Sequence, residues 1–309
     1  MKVICGISAL EAANIQAATL TVGTFDGVHK AHVVLLKRLK QAAAENNTPS
    51  VVVTFDPHPQ MVLGTRGRTE ILNTTEEKLE QFAKMNLDLI VILEFNQQLA
   101  SLEAEEFIKR ILHEDLRMKH FVVGYDHCFG QGRRGDFELV KANADQYHYT
   151  YEMVGPVNNG GDPIKSSRIR RELKSGDYDL AVEMLGYHYF VTGEVVRGRG
   201  LGRSLGFPTI NLNIPPGKLL PQPGVYAAKV IADGREIPGM AYIGGRLTFG
   251  DETITVEANL FDFDEDLAGK KVRMILEHHT RSPRKFDTPE QLIAALAEDK
   301  KQVKKMLNI

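Results

Sequence analysis

The strongest constraint on the fold is an alternation of short apolar runs and amphipathic helical patterns over residues 18–186. Runs rich in β-branched residues predict five strands, at Ala18–Gly23, Ser50–Phe55, Leu87–Glu94, His120–Gly124 and Tyr149–Val154. Apolar residues at helical spacing predict four intervening helices, at His29–Asn46, Thr75–Met85, Glu103–His113 and Asp136–Gln146. This order is typical of right-handed βαβ units, so we predict an α/β domain with a doubly wound parallel sheet.

The pattern changes after Gly186, where short strands follow one another with turn signals between them. The predicted strands are Phe190–Val196, Val225–Ala232, Glu236–Ile243, Thr253–Phe263 and Lys271–His279. Such a series favours a small β-barrel. A final helix is predicted at Pro289–Leu307, with Thr288 as its N-cap. The sequence therefore predicts two domains, at residues 1–186 and 187–309.

Composition narrows the class of protein and its partners. The chain has 309 residues, a formal net charge of −2, 43% hydrophobic residues and 25% charged residues. This balance gives no global footprint for nucleic acid or for an anionic membrane. Cys5 and Cys128 are the only cysteines, which supports neither a disulfide framework nor a thiolate zinc site. The first apolar run is too short for a signal peptide and no run is long enough to span a bilayer, so we expect a cytoplasmic protein.

The stretch LTVGTFDGVHKAH, residues 20–32, carries the first candidate site. It has the order strand, glycine-containing turn, helix start, and a helix start presents unpaired backbone N–H groups that suit a phosphate. His29 and His32 are spaced to lie on one side of the first helical turn, where both rings can face one anion. The alternative is an ordinary turn with surface histidines. We favour the phosphate interpretation.

In a doubly wound sheet, ligands bind at the carboxyl ends of the strands near the switch point. We therefore expect the loops 23–29, 56–67 and 124–135 to converge on one cleft. From spacing alone, the DPHP sequence after the second strand is a rigid turn. Gly130, Gly132 and Gly135 match GxGxxG, but the match comes late and six residues after its strand, which argues against a dinucleotide site.

Two further stretches place positive charge where an anion would stabilise it. PIKSSRIRREL, residues 163–173, crowds four basic residues into the first turns of a helix, which is the unfavourable end of the helix dipole. VVRGRGLGRSLGFPTINL, residues 195–212, alternates glycine and arginine before a rigid strand. Such a loop can wrap polyphosphate, and Thr209 and Asn211 can jointly hold a hard cation. The alternatives are a solvated basic face and a mobile hairpin.

The N-terminal motifs resemble those of the prokaryotic bifunctional riboflavin kinase/FMN adenylyltransferases, the FAD synthetases. GTFDGVHKAH is similar to their GxFDGVHxGH signature, and TFDPHP, VGYDHCFG and KSSRIR match later elements in the same order. The resemblance implies nucleotide and flavin binding by Gly23, Phe25, Asp26, His58, Asp126 and Ser167. It also implies catalytic roles for His29, His32 and Arg170.

The C-terminal motifs resemble the flavokinase part of the same family, through GRGLGRSLGFPTINL, TVEANL and the arginine of RSPRKF. The resemblance implies that Thr209 and Asn211 bind Mg²⁺ and that Glu257 is the base towards the riboflavin 5′-hydroxyl. ATP or flavin binding is implied for Gly198, Gly200, Arg203, Gly206, Pro208 and Arg281. This chain departs from the family pattern at Ala31, Asn259, Ala268 and Pro283.

The resemblance covers nearly the whole chain and implies two reactions. The C-terminal domain is expected to phosphorylate riboflavin with ATP, and the N-terminal domain to adenylylate FMN to FAD with release of pyrophosphate. The expected partners are these small molecules and Mg²⁺, without nucleic acid or membrane; the oligomeric state is left open. Two alternatives remain: a nucleotidyltransferase for another small phosphate, and a flavin-binding regulator that has lost one or both activities.

Overall fold

The structure is a computed structural model that describes residues 1–64, 70–198, 200–246 and 251–309. The chain forms two compact units, Met1–Ser166 and Ser167–Ile309. Each unit has its own sheet, and each is described by itself below.

The first unit contains a six-stranded parallel sheet with strand order β1-β4-β3-β2-β5-β6. Its strands are β1 (Lys2–Cys5), β2 (Ala18–Val22), β3 (Ser50–Asp56), β4 (Leu89–Glu94), β5 (Met118–Gly124) and β6 (Thr150–Val154). The predicted parallel sheet is confirmed. The strand β1 was missed because it is short and three of its four residues are exposed, so it carries no apolar run.

Helices connect the strands of this sheet. They are α1 (Ile7–Ala12), α2 (Lys30–Glu45), α3 (Pro59–Leu63), α4 (Thr75–Ala83), α5 (Gln97–Ala100), α6 (Ala104–Glu106) and α7 (Phe137–Tyr147). The helix α6 continues as a π-helix, Phe107–Asp115, where the sequence predicts one α-helix. A short 3₁₀ turn (Gln131–Arg133) and a two-stranded hairpin, β7 (Asn158–Asn159) with β8 (Asp162–Pro163), complete the unit.

The strand order positions the first candidate site. The strand β2 pairs with β3 on one side and with β5 on the other, and the connections reverse direction between β2 and β5. Because the strands are parallel, the loops that follow β2, β3 and β5 leave from one edge of the sheet. The predicted convergence therefore follows from the topology, although residues 65–69 of the second loop lie outside the described residues.

The second unit contains a closed antiparallel barrel with strand order β10-β13-β12-β11-β14-β9. Its strands are β9 (Phe190–Val196), β10 (Ile210–Asn213), β11 (Gly224–Ala232), β12 (Arg235–Arg246), β13 (Asp251–Leu260) and β14 (Lys271–Arg281). Its helices are α8 (Ser166–Ser175), α9 (Tyr178–Leu185), α10 (Leu201–Ser204) and α11 (Pro289–Met306). The predicted barrel and C-terminal helix are confirmed, and the Thr288 side chain accepts a hydrogen bond from the Gln291 amide as an N-cap.

The helices α8 and α9 connect to the barrel by hydrogen bonds. The Gln222 backbone N–H donates to the Leu173 carbonyl, and the Tyr178 hydroxyl donates to the Leu276 carbonyl. These contacts place residues 167–186 in the second compact unit. The boundary at residue 186 stays a prediction about domains.

Among the helices of the described residues, none combines the length and apolar character that crossing a membrane requires.

The start of α4 gives a first prediction. The Thr74 hydroxyl accepts a hydrogen bond from the Glu77 amide, and the Glu77 carboxylate accepts one from the Thr74 amide. Because this capping box satisfies two amides at the helix start, we expect Thr74→Ala to lower the free energy of unfolding by about 1 kcal/mol. Hydrogen exchange at the α4 amides in urea measures the change. Thr74→Ser keeps the hydroxyl and is the control; equal losses in both variants would contradict the assignment.

Candidate functional site

The loop after β2 has an unusual backbone conformation. Phe25, Gly27 and Val28 all have positive φ, at 49°, 87° and 34°. A β-branched residue such as Val28 rarely adopts this conformation, so the surrounding contacts hold it in place. A Cβ on Gly23 would lie 3.0 Å from the Phe25 ring, so a larger residue would displace that ring. The loop is thus wound tightly beneath the start of α2.

The two predicted histidines meet at that helix start. Their rings are stacked, with centroids 3.6 Å apart and planes 15° from parallel, and Phe25 packs edge-on against His32. His29 is the N-cap of α2, and its Nδ1 accepts a hydrogen bond from the His32 amide. An accepting Nδ1 places the proton of the neutral ring on Nε2, which leaves an N–H donor on the other side of the imidazole.

Its surroundings hold His32 in the neutral form. Burial lowers the pKa of His32 well below its usual range, and positive charge on Lys78 or on a protonated His29 lowers that pKa further. Since the unfolded chain takes up this proton more readily, the stability contributed by neutral His32 is full above about pH 6.5 and is lost as the pH falls below that value. A phosphate at this helix start would oppose each of these effects and favour protonated rings.

Asp26 is buried and its carboxylate is engaged by the protein. Both oxygens accept hydrogen bonds from the Leu72 amide, at 2.9 and 3.1 Å, and Oδ1 also accepts one from the Asn73 amide. The Asp26 carbonyl accepts the Ser166 hydroxyl at 2.8 Å. Asp26 therefore fastens the segment before α4, and Ser166 at the end of the first unit, to the loop. That Asp26 also binds nucleotide stays a prediction.

Lys78 is a site residue that sequence reasoning missed. It lies on α4, is 5% exposed, and donates from Nζ to the Thr24 carbonyl at 3.0 Å and the Thr54 hydroxyl at 3.1 Å. Burial lowers its pKa, while the charges of Asp26 and Asp56 oppose that shift. Lys78 thus links the ends of β2 and β3 and places positive charge beneath the histidine pair. Only its position in an amphipathic helix is visible in the sequence, and that position predicts an ordinary surface lysine.

Two other predicted residues lie at the same edge of the sheet. His58 is the N-cap of α3, where its Nδ1 accepts from the Gln60 amide at 3.2 Å. Asp126 follows β5, is half exposed, and pairs with Lys165 at 3.4 Å. The start of α7, next to the GxGxxG match, is capped by the Asp136 carboxylate, which accepts from the Leu139 amide. That carboxylate occupies the position at which a dinucleotide phosphate would bind.

Ser167 and Arg170 lie in the first turn and a half of α8, within the second compact unit. Their proposed association with the histidine pair stays a prediction.

In the barrel, the structure brings Glu257 and Thr209 into contact. Glu257 accepts hydrogen bonds from the Thr209 hydroxyl at 3.3 Å and from the Thr255 hydroxyl at 3.1 Å. Asn211 on β10 is the register partner of Glu257 on β13. Three of the predicted residues therefore lie together although they come from two separate motifs, and they supply carboxylate, hydroxyl and amide oxygens.

The glycine-rich loop closes directly over these side chains. A Cβ on Gly198 would lie 2.3 Å from the Asn211 amide nitrogen, and one on Gly202 would lie 2.3 Å from the Phe207 carbonyl oxygen and 3.3 Å from the Thr209 hydroxyl. Only glycine permits this approach. Gly200 and Gly206 have positive φ, and Arg203 is exposed on α10. The loop thus brings its backbone to the side chains that are predicted to hold phosphate.

A cavity of about 170 Å³ opens beside Glu257, between the barrel and α11. Most of its lining is apolar, with Phe207, Met240 and Leu296 among the contributors. A largely apolar cavity with a few polar groups suits a flat, partly polar ligand.

Two predicted residues line or border this cavity in engaged positions. Arg281 donates to both carboxylate oxygens of Asp299, at 2.8 and 2.6 Å, and Asp299 is 3% exposed. This two-point ion pair fastens α11 to β14. The Pro208 carbonyl accepts a hydrogen bond from the Asn259 side chain at 2.7 Å. Asp299 was missed because, in the sequence, it is one acid among the charged residues of a terminal helix.

The Lys78–His32 arrangement gives a prediction. We expect Lys78→Met to raise the pKa of His32 towards its usual range, because one of the positive charges that oppose protonation is removed. NMR titration of the His32 ring, with the Cε1 resonance assigned, measures the shift. Lys84→Met, on an exposed lysine just after the same helix, is the control and should leave that pKa in place. A His32 pKa that is unchanged in Lys78→Met would contradict the proposed effect of the Lys78 charge on His32.

Comparisons with known proteins match two successive parts of the chain. A family model described as FAD synthetase matches residues 11–168, and one described as riboflavin kinase matches residues 185–307.

Similar full-length proteins cover both parts. The bifunctional riboflavin kinase/FMN adenylyltransferase of Escherichia coli (strain K12) is 34% identical over 97% of this chain and 96% of its own length. The Bacillus subtilis protein of the same name is 32% identical over 92% of this chain and 91% of its own. A crystal structure described as a macrolide-efflux protein from Streptococcus pneumoniae superposes with a TM-score of 0.84 at 29% identity, covering 97% of both chains. This chain belongs to the bifunctional riboflavin kinase/FMN adenylyltransferase family.

Proposed function

We propose which residues carry the two reactions of the family, riboflavin phosphorylation in the second unit and FMN adenylylation in the first. The observation that supports this assignment most strongly is the contact of Glu257 with Thr209 beside the apolar cavity and beneath the glycine-rich loop. It supports a proposed arrangement in which a carboxylate, a phosphate site and a flavin site share one small region of the barrel.

In the kinase reaction, Glu257 accepts the proton of the riboflavin 5′-hydroxyl as that oxygen attacks the γ-phosphorus of ATP. The bond from the γ-phosphorus to the bridging oxygen breaks, its electron pair stays with that oxygen, and ADP leaves. The carboxylate is held for this step by the Thr255 hydroxyl. Backbone groups of the glycine-rich loop and Arg203 would bind the phosphates of ATP.

Thr209 and Asn211 also fit Mg²⁺. Their oxygens are the hard ligands that this ion prefers, and the close packing of Gly198 on Asn211 fixes the position of the amide. Mg²⁺ bound with ATP would neutralise phosphate charge. Within the described residues there is no cluster of three or more histidine, cysteine or acidic residues that suits another metal.

In the adenylyl transfer, an oxygen of the FMN phosphate attacks the α-phosphorus of ATP. The bond to the oxygen that bridges the α- and β-phosphorus atoms breaks, and pyrophosphate leaves with the electron pair. The FMN phosphate is already ionised, so the step needs no general base. His29 and His32 donate N–H bonds to phosphate oxygens and gain protons as that charge approaches, so their action is electrostatic. Ser167 and Arg170 are proposed to add donors.

Two variants, each expected to lose one of the two activities, test whether the reactions have separate sites. We expect Glu257→Gln to lower FMN formation at least about 100-fold, because the amide cannot accept the proton, while FMN-to-FAD conversion stays intact. His29→Ala should do the reverse. Purified full-length variants are incubated with ATP, Mg²⁺ and either riboflavin or FMN, and the flavins are resolved by chromatography.

Each variant is the control for the other, since both retain one measurable activity. Equal loss of both activities in Glu257→Gln would refute separate sites. An unchanged FAD yield in His29→Ala would refute the role of the histidine pair. If the wild-type protein binds riboflavin and FMN but converts neither, the result would favour the alternative of a flavin-binding regulator.

Gly198 gives a prediction about the glycine-rich loop. We expect Gly198→Ala to raise the KM for ATP in riboflavin phosphorylation, because the added methyl group displaces the Asn211 amide, 2.3 Å from the new Cβ. Steady-state kinetics at varied ATP measure the change, and FMN adenylylation by the same variant is the control. An unaltered KM for ATP would contradict the loop's proposed role.

The expected cytoplasmic location is retained as part of this proposal.

A further inference from the structure

Asn259 has an acceptor that the described residues leave unsatisfied. The residue is 5% exposed and lines the cavity beside Glu257. Its Nδ2 donates to the Pro208 carbonyl at 2.7 Å, while its Oδ1 is buried and has no hydrogen-bond partner among the described residues. Buried acceptors are nearly always paired, so an unpaired one at a cavity calls for an explanation.

The orientation of this amide is fixed by chemistry. A carbonyl oxygen can only accept a hydrogen bond, so the atom that faces Pro208 must be the nitrogen. Turning the amide over would place two oxygens 2.7 Å apart. The oxygen therefore lies on the other branch of the side chain, where only a donor can satisfy it.

The position of Asn259 along the strand indicates which donor that is. Glu257 and Asn259 are two residues apart on β13, so their side chains leave the same face, about 6.8 Å apart along the strand. The ribityl chain of riboflavin carries hydroxyls on successive carbons from its reacting end. With the terminal hydroxyl at Glu257, a secondary hydroxyl lies towards Asn259.

We propose that the Oδ1 of Asn259 accepts a hydrogen bond from a secondary ribityl hydroxyl of riboflavin, which makes Asn259 a specificity-determining residue of the kinase site. This inference depends on the proposed function, because it places riboflavin in this cavity. The hydrogen bond to Pro208 orients the acceptor and also holds the segment just before β10, which contains Thr209. Asn259 thus connects recognition of the flavin chain with the position of the phosphate-binding residues.

The test combines substrate analogues with variants of the full chain. Wild-type protein should lose about three- to tenfold in kcat/KM on one riboflavin analogue that lacks a single secondary hydroxyl (2′-, 3′- or 4′-deoxy). Asn259→Leu should phosphorylate riboflavin and that analogue equally well. N3-methylriboflavin tests the ring N–H as the alternative donor. Phosphorylation of riboflavin by Asn259→Leu shows that the barrel of the variant still folds, because the kinase site lies in that barrel.

Asn259→His separates the acceptor from a merely structural role. A neutral imidazole offers one donor and one acceptor, as the amide does, whereas a protonated imidazole has two donors and no acceptor. The variant should keep the preference for the full ribityl chain at about pH 8 and lose it below about pH 6.5, while the wild type keeps it at both values. The charged groups that line the same cavity are Glu257, Arg281, Arg284 and Asp299. Both proteins contain these groups, so a pH dependence of the substrate preference that is seen only in the variant is due to residue 259.

The outcomes distinguish a failure of this inference from a failure of the proposed kinase function. A wild-type protein that forms no FMN would refute the kinase assignment itself. Active wild type that does not discriminate against any deoxy analogue, or Asn259→Leu that discriminates as the wild type does, would overturn the role of Asn259. Discrimination against N3-methylriboflavin that disappears in Asn259→Leu would assign the acceptor to the ring and refute the ribityl contact.

Discussion

The first site depends on a buried lysine that joins two strand ends. Lys78 donates to groups at the ends of β2 and β3, and its charge lies near the buried carboxylate of Asp26. The Asp26 carboxylate in turn accepts hydrogen bonds from the Leu72 and Asn73 amides, which precede α4, the helix that contains Lys78. Lys78 therefore holds the ends of β2 and β3 together, and Asp26 holds the segment that leads into the helix of Lys78. The loop with the histidines has an unfavourable backbone conformation at Val28, and this mutual support explains how it is maintained.

In the proposed sites, the two units would hold phosphate in different ways. The first would use a helix start, two stacked imidazoles of which His32 is held neutral, and the nearby positive charge of Lys78. The second would use a glycine-rich backbone that packs against Thr209 and Asn211, beside a Glu257 carboxylate that accepts hydrogen bonds from the Thr209 and Thr255 hydroxyls. The different chemistry suits the two reactions. An alcohol must lose a proton as it attacks, whereas an ionised phosphate needs only charge stabilisation.

The sequence predicts the fold well because periodicity and topology rules apply to long stretches. The parallel sheet, the barrel and the terminal helix are confirmed, and the family likeness extends over both units. What failed was local: β1 has too few buried residues to be recognised, and the π-helix after α6 has the same apolar spacing as an α-helix over that length. For the candidate sites, motifs indicate which residue types are present but not what each side chain contacts. The ligand-binding roles of Asp26 and Arg281 stay predictions, and the sequence does not indicate that Asp26 accepts backbone amides or that Arg281 pairs with Asp299. Lys78 and Asp299 lie outside every motif, because a buried charge looks like a surface charge until its partners are known.

In the proposed function the chain has two independent nucleotide sites, one in each unit, and these sites can be counted. Calorimetric titration of the full-length protein with a non-hydrolysable ATP analogue, in the presence of Mg²⁺ and without flavin, measures their number. We expect a stoichiometry of two analogues per chain. A stoichiometry of one would refute two independent sites.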